Sequence, residues 1–217
     1  MPIWLRQLSN EEILGLASYK HSAEKTSYEV WLRENICEPL EPYWPEFLSA
    51  NTLTIIGQAP LQILILLVLW SVGPNIDAET PITAGFLVLG AVFTMWFSVI
   101  DIMDGLRARR LKVGSPLGRL IDEGGDALTM GNYSVLMAYV WNLQIPGSEL
   151  VFFSMNFVFY MMEIKYIITG ALVMSQGDIS DVELELAFST LMLIHAFTGR
   201  GFYEDTVAQT FGISTEA

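Results

Sequence analysis

The chain has 217 residues, enough for one modest domain. Apolar residues make up 52% and charged residues 16%, against roughly 25% charged in ordinary soluble proteins, and the mean hydropathy is +0.42. These values exclude a disordered chain, a coiled coil and a disulfide scaffold, and they predict a membrane protein. Lys and Arg total 11 against 24 Asp and Glu, for a formal net charge of −13. That field repels polyphosphates and argues against a nucleic-acid partner, so an anionic ligand must find a local basic island. The single cysteine, Cys37, excludes an intrachain disulfide or a cysteine-cluster metal site.

In chain order, residues 1–50 read as an amphipathic N-terminal segment. No signal peptide is expected, because the first apolar run follows about 50 polar and amphipathic residues. Ser9 and Glu12 have capping-box spacing ahead of Ile13, Leu14 and Leu16. A second helical segment runs from Tyr28 to Ile36, and Pro39, Pro42 and Pro45 stop it. Two readings stay open: a solvated helix pair, or an interfacial helix with Trp31, Tyr43 and Trp44 at headgroup level.

Residues 51–199 read as an all-α, polytopic transmembrane bundle. A span needs about 20 mostly apolar residues. Leu53–Val72, Ile82–Ile100, Leu117–Trp141 and Leu150–Met174 qualify, and Leu184–Thr198 is a shorter fifth. Pro60 marks a kink in the first. Arg6, Lys20, Lys25 and Arg33 precede the first span, and Arg107, Arg109, Arg110, Lys112 and Arg119 lie between the second and third. The loops Gly73–Pro81 and Asn142–Glu149 carry no Lys or Arg, so the N-terminus and the Asp101–Gly118 loop are expected in the cytosol. Residues 200–217 form a polar tail.

The chemistry concentrates at the end of the second span. Asp101 and Asp104 are three apart and Asp122 and Asp126 four apart, so each pair shares one helix face. A short basic turn would bring the two faces together. Four carboxylates at a membrane boundary repel one another and resist desolvation. Two divalent cations about 3.5–4 Å apart would cancel that charge and create a site for phosphate oxygens. An all-oxygen donor set favours Mg²⁺, Mn²⁺ or Ca²⁺ over zinc. Gly105 and Ala108 leave room beside the acids for a nucleotide, and Gly118, Gly124 and Gly125 permit close helix packing. Arg109 and Arg110 form the basic island that would hold a pyrophosphate.

The spacing D-x2-D-G-x2-A-R-x8-G-x3-D-x3-D over Asp101–Asp126 resembles the signature of the CDP-alcohol phosphotransferase family. With eight specified positions, each met about once in 15 residues, chance coincidence is roughly one in 10⁹. Arg110, Pro116-Leu117 and Leu128 extend the resemblance to the eukaryotic choline and ethanolamine phosphotransferases. Leu8–Tyr19, Ala50–Gly57, the Glu163–Leu172 region and Asp178–Val182 are similar to flanking segments of those enzymes, the last more like the ethanolamine type.

The resemblance implies transfer of phosphoethanolamine or phosphocholine from CDP-ethanolamine or CDP-choline to diacylglycerol, with release of CMP. It implies two Mg²⁺ or Mn²⁺ ions on Asp101, Asp104 and Asp122, with Asp126 as general base and further metal ligand. Gly105, Ala108 and Arg109 match positions lining the cytidine diphosphate site. It also implies an endoplasmic reticulum or Golgi membrane, a cytosol-facing active site, and a homodimer as one oligomeric state. Glu123 departs from the pattern, since the related eukaryotic enzymes typically carry histidine there. Those enzymes continue into further spans, whereas this chain shows about five.

Other residues keep two readings. Glu163, mid-span near Lys165, either helps bind the cationic headgroup or orders the metal site, or the span is offset and both side chains snorkel or contact partner helices. Asn51 reads the nucleotide base or caps the first span, and Gly118 sits where the nucleotide would pass. His195 reads as a packed histidine. The sequon at Asn132 falls inside a span and should be inert. Two rival functions stand beside the enzyme. One is a truncated, non-catalytic homologue that binds nucleotide or a full-length partner. The other is a divalent-cation transporter, against which the glycine, alanine and arginine beside the acids argue.

Overall fold

The computed structural model describes residues 9, 11, 25–72, 82–141, 143, 147–169 and 179–199. Most of the expected Leu8–Tyr19 helix, the 200–217 tail and the Gly170–Leu172 match lie outside them. Among the described residues the secondary structure is helical, with no strand, as the all-α expectation required. Helix α1 (Ser27–Leu32) is capped by the Thr26 hydroxyl and runs into a π-helical turn, Arg33–Cys37. A short α2 (Glu38–Leu40) and a 3₁₀ turn (Glu41–Tyr43) follow, broken up by the prolines.

Five long helices coincide with the five apolar runs: α3 (Ala50–Val72), α4 (Ala84–Leu111), α5 (Pro116–Val140), α6 (Gly147–Thr169) and α7 (Asp181–Thr198). Helix α3 continues through Pro60. Among the described residues, α3 (over Ala50–Ser71) and α4 are long and apolar enough to cross a membrane. At about 1.5 Å per residue, the 28 residues of α4 reach about 42 Å, beyond a hydrocarbon core of roughly 30 Å. The surplus is its last turns, from about Asp104 on, where the charged residues stand. The helix therefore runs eleven residues past Ile100, where apolar composition alone would have ended it.

The turn after α4 sets the geometry of everything downstream. Lys112 closes the helix in the left-handed conformation at φ 55°. Three residues later Ser115 caps α5, its hydroxyl accepting from the Gly118 amide at 3.1 Å, with Pro116 in the first turn. So short a reversal sends α5 back beside the acid end of α4. The two hardly touch, however: α4 packs between α3 and α7, and α5 packs on α3 and α6. The gap between them is where the carboxylates meet.

Two cores hold the bundle. The larger joins Leu61, Leu64 and Val68 of α3 to Leu87 and Ala91 of α4, Tyr133, Leu136 and Met137 of α5, and Met192 of α7. The smaller, level with the acids, gathers Leu32, Cys37, Leu53, Ile100, Met103 and Val182 and fastens the N-terminal segment down. Outside the cores Ile63, Leu66 and Trp70 of α3, Phe153 and Phe157 of α6 and Phe197 of α7 are exposed. An apolar surface of that extent suits lipid rather than water.

A buried ion pair locks the N-terminal segment to α4. Arg107, wholly buried, donates to Glu41 at 3.0 Å and to the Leu48 carbonyl at 2.6 Å, and also to the carbonyl of Pro45. Arg110 reaches the other Glu41 oxygen at 2.9 Å. Its charge is thus turned away from the acid site, which corrects the expectation of an Arg109–Arg110 pair on pyrophosphate. Loss of one partner strands a buried charge. Arg107→Leu should destabilise by about 3 kcal/mol, and the half-exposed Arg110→Ala by less than about 1 kcal/mol, as read by thermal unfolding in detergent.

Close approach of α3 and α4 depends on Gly57, where a Cβ would fall 2.9 Å from Ile100 Cγ2 and 3.1 Å from its Cβ. Ile100 is β-branched and has little room to turn. Overpacking at about 1–3 kcal/mol outweighs the gain of about 1 kcal/mol in helix propensity. Gly57→Ala should therefore lower the melting temperature, and combination with Ile100→Ala should cost less than the two changes summed. Burial pushes the Cys37 thiol up to about 11, so it stays protonated at neutral pH. A maleimide at pH 7 should label Cys37 after denaturation and leave the folded chain unlabelled.

Candidate active site

Three carboxylates from two helices converge. Asp101 of α4 and Asp122 and Asp126 of α5 each direct an oxygen to one point, all within 4.8 Å of one another. One oxygen of each (Oδ1) is buried and finds no hydrogen-bond donor among the described residues. Like charges so close, with desolvated and unpaired oxygens, call for a compensating cation. The donors are hard oxygens, with neither sulfur nor imidazole among them, and so fit a divalent ion of the magnesium or manganese kind.

Asp104, the fourth acid of the motif, stands outside that trio. It lies one turn further along α4, is buried, and accepts a hydrogen bond from the Thr54 hydroxyl of α3. It lines a cavity of about 1170 Å³ that opens beside the trio, and Asp122 lines it too. Asn51, Gly105, Ala108, Arg109 and Gly118 all border the same cavity. The Arg109 guanidinium folds back over Gly105, where a Cβ would meet its Nη1 at 3.4 Å. Across the space, a Cβ on Gly118 would meet Asn51 Oδ1 at 3.3 Å. The small residues thus make room for the two polar side chains that reach in.

Glu163 of α6 is already partnered. Arg119 of α5 donates to its two oxygens at 3.1 and 3.2 Å and to Glu123 at 3.1 Å, and it lies 3.8 Å from the centre of the Tyr166 ring. Arg119 and Glu123 line the cavity while Glu163 stands behind them. Glu123 therefore belongs to an ion-pair group at the cavity wall rather than to the trio. His195 is buried in α7, and so is Asn132 of the sequon in α5.

Composition and spacing missed the contribution of α7. Asp181 and Glu185 share a small cavity with Asp101 and Asp126. Glu185 is buried and well held: the Tyr133 hydroxyl donates to it at 3.1 Å, and Ser98 donates to its other oxygen. The Ser180–Glu183 capping box starts α7 at the level that brings these acids in. A glutamate within an apolar run was the available signal, since an ionisable residue at such a position is costly without a partner.

A profile of the CDP-alcohol phosphatidyltransferase family matches residues 47–207, a stretch that contains Asp101, Asp104, Asp122, Asp126, Asp181 and Glu185. Cholinephosphotransferase 1 of Homo sapiens is 27% identical over 95% of this chain and 51% of its own length. The Bos taurus protein of the same name is 28% identical, with the same coverage. An uncharacterised class-I family protein of Dictyostelium discoideum is 27% identical over 99% of this chain and 50% of its own. The chain thus spans about half the length of these relatives. Motif, geometry and match agree, and the chain belongs to the CDP-alcohol phosphatidyltransferase family.

Proposed function

We propose that the chain is a membrane transferase that moves phosphocholine or phosphoethanolamine from a CDP-alcohol to diacylglycerol and releases CMP. The observation that carries this reading is the convergence of Asp101, Asp122 and Asp126, with unpaired oxygens, beside a cavity holding Arg109. The names of the mammalian relatives speak for choline. The sequence Asp178–Val182 speaks for ethanolamine.

In this reading Asp101, Asp104, Asp122 and Asp126 would hold two Mg²⁺ or Mn²⁺ ions. Bound there, the ions would supply charge neutralisation for the diphosphate and the leaving CMP. Arg109 grips a diphosphate oxygen, and Gly105 and Ala108 let the nucleotide lie against α4. Asn51 and Gly118 border the nucleoside side of the cavity. At the Arg119 end, Glu123 and Glu163 leave a net negative charge that suits a cationic alcohol headgroup.

Asp126 takes the proton of the lipid hydroxyl. The hydroxyl oxygen bonds to the phosphorus bearing the alcohol, the P–O bond to CMP breaks, and CMP leaves with the bonding pair. A nucleotide from water and an alcohol from the bilayer meet here because α4 places its acids where its apolar stretch ends. We place the site on the cytosolic face of an endoplasmic reticulum or Golgi membrane, in a chain that also forms a homodimer.

Membranes containing only this chain, supplied with labelled CDP-choline or CDP-ethanolamine, diacylglycerol and Mg²⁺ or Mn²⁺, should release CMP and form phospholipid, and EDTA should stop both. Asp126→Asn should lower turnover by at least about 10³-fold, within the usual range for loss of a general base, with CDP-alcohol binding retained. Wild-type turnover in that variant would remove Asp126 from the chemistry. Nucleotide binding without turnover by the wild-type chain would favour the non-catalytic reading.

A further inference from the structure

The face that α3 turns towards α5 carries polar groups that the acid site does not use. The Gln58 side chain occupies the space left by Gly125: a Cβ there would fall 1.3 Å from Gln58 Nε2. Gly125 directly precedes Asp126, and Gly57 packs on Ile100 beside Asp101. Gln58 is therefore level with the acids. Gln62 follows one turn along α3, about 6 Å towards the apolar interior. Asn132, seven residues beyond Gly125, lies on the same face of α5 about two turns further in.

The amide nitrogens of Gln58, Gln62 and Asn132 are all buried and meet no acceptor among the described residues. Asn132 is only 7% exposed. Buried donors normally find partners, above all within a membrane-length helix that water does not reach. Three of them along one seam, starting at the acids, point to acceptors brought from outside the chain. The outer side of the seam faces outwards. Gly124 of α5 faces open space, and Ile55 and Ile63 of α3 and Leu128 of α5 are exposed apolar flanks.

We propose that this seam receives the glycerol end of the acceptor lipid, with the Gln58 and Gln62 amides donating to its ester carbonyls. This rests on the function proposed above. A diacylglycerol has one hydroxyl and two ester carbonyls a few ångströms from it. With the hydroxyl at Asp126, the carbonyls fall along the α3 amides and the acyl chains leave between Leu128 and Ile63. Gln58 and Gln62 are then determinants of acceptor specificity, selecting an ester lipid over an ether lipid of the same shape.

The test compares a dioleoyl glycerol with the matching dialkyl ether, which keeps the hydroxyl and the chains but lacks the carbonyls. Binding to purified chain in detergent micelles is measured alongside CMP release. The wild type should bind the diester about tenfold more tightly than the ether, the scale of one or two hydrogen bonds. Gln58→Leu and Gln62→Leu should bring the two lipids within about threefold by weakening the diester, with CDP-choline binding unchanged. Equal binding of ester and ether by the wild type, or full discrimination in both variants, would overturn the proposal. If the leucine variants do not fold, Gln58→Asn and Gln62→Asn shorten the reach without losing polarity, and unaltered discrimination in them would overturn it equally. CMP release without ester preference would sink the lipid seam and leave the transferase reading standing. Ester preference lost in the variants, with no CMP release by the wild type, would do the reverse.

Discussion

Carboxylates that cannot share a site unaided organise this protein. Asp101, Asp122 and Asp126 are held together by helices that are rigid and largely apolar, so they cannot relax apart without disrupting the packing behind them. In water such a cluster would cost little. At the end of a membrane-length helix it is tolerable only when a cation, a proton or a donor compensates it. Asp104 has Thr54, and Glu185 has Ser98 and Tyr133. The trio keeps unpaired oxygens, and that is where the demand for a compensating cation is strongest.

The rest of the fold supports that convergence. Lys112 and Ser115 end one helix and begin the next within a few residues, which fixes the level of the second acid pair against the first. Gly57 lets α3 approach α4, and Gly125 admits Gln58 of α3 beside α5, so α3 closes one side of the site. The Arg107–Glu41 pair holds the segment before α3 in place, and with it the end of the helix that bears Asn51 and Thr54. Arginine does this well because its fork satisfies a carboxylate and several carbonyls at once.

Charge is distributed economically across the pocket. Of the basic residues near the motif, Arg107 and Arg110 serve Glu41, Arg119 serves Glu123 and Glu163, and Arg109 and Lys112 line the cavity. A chain of net charge −13 therefore offers an anionic ligand a local positive point beside the carboxylate trio. A diphosphate, which needs both kinds of compensation, is the ligand class that arrangement suits.

Much of this was legible in the residues themselves. Apolar runs located all five long helices to within a few residues, except at the end of α4, because burial in apolar surroundings demands apolar composition whatever the neighbours are. The acid motif was legible because periodicity places residues three and four apart on one face, and that rule is local. Which arginine faces the cavity was not, since Arg109 and Arg110 are neighbours alike in chemistry and only the position of Glu41, some seventy residues earlier, tells them apart. Nor could spacing show that Asp104 turns to Thr54, that Glu185 joins from α7, or that Gln58 fills the place of a side chain missing at Gly125. Those outcomes depend on how helices far apart in sequence stack. One-dimensional patterns record the face a residue occupies and leave to tertiary packing which other face it meets.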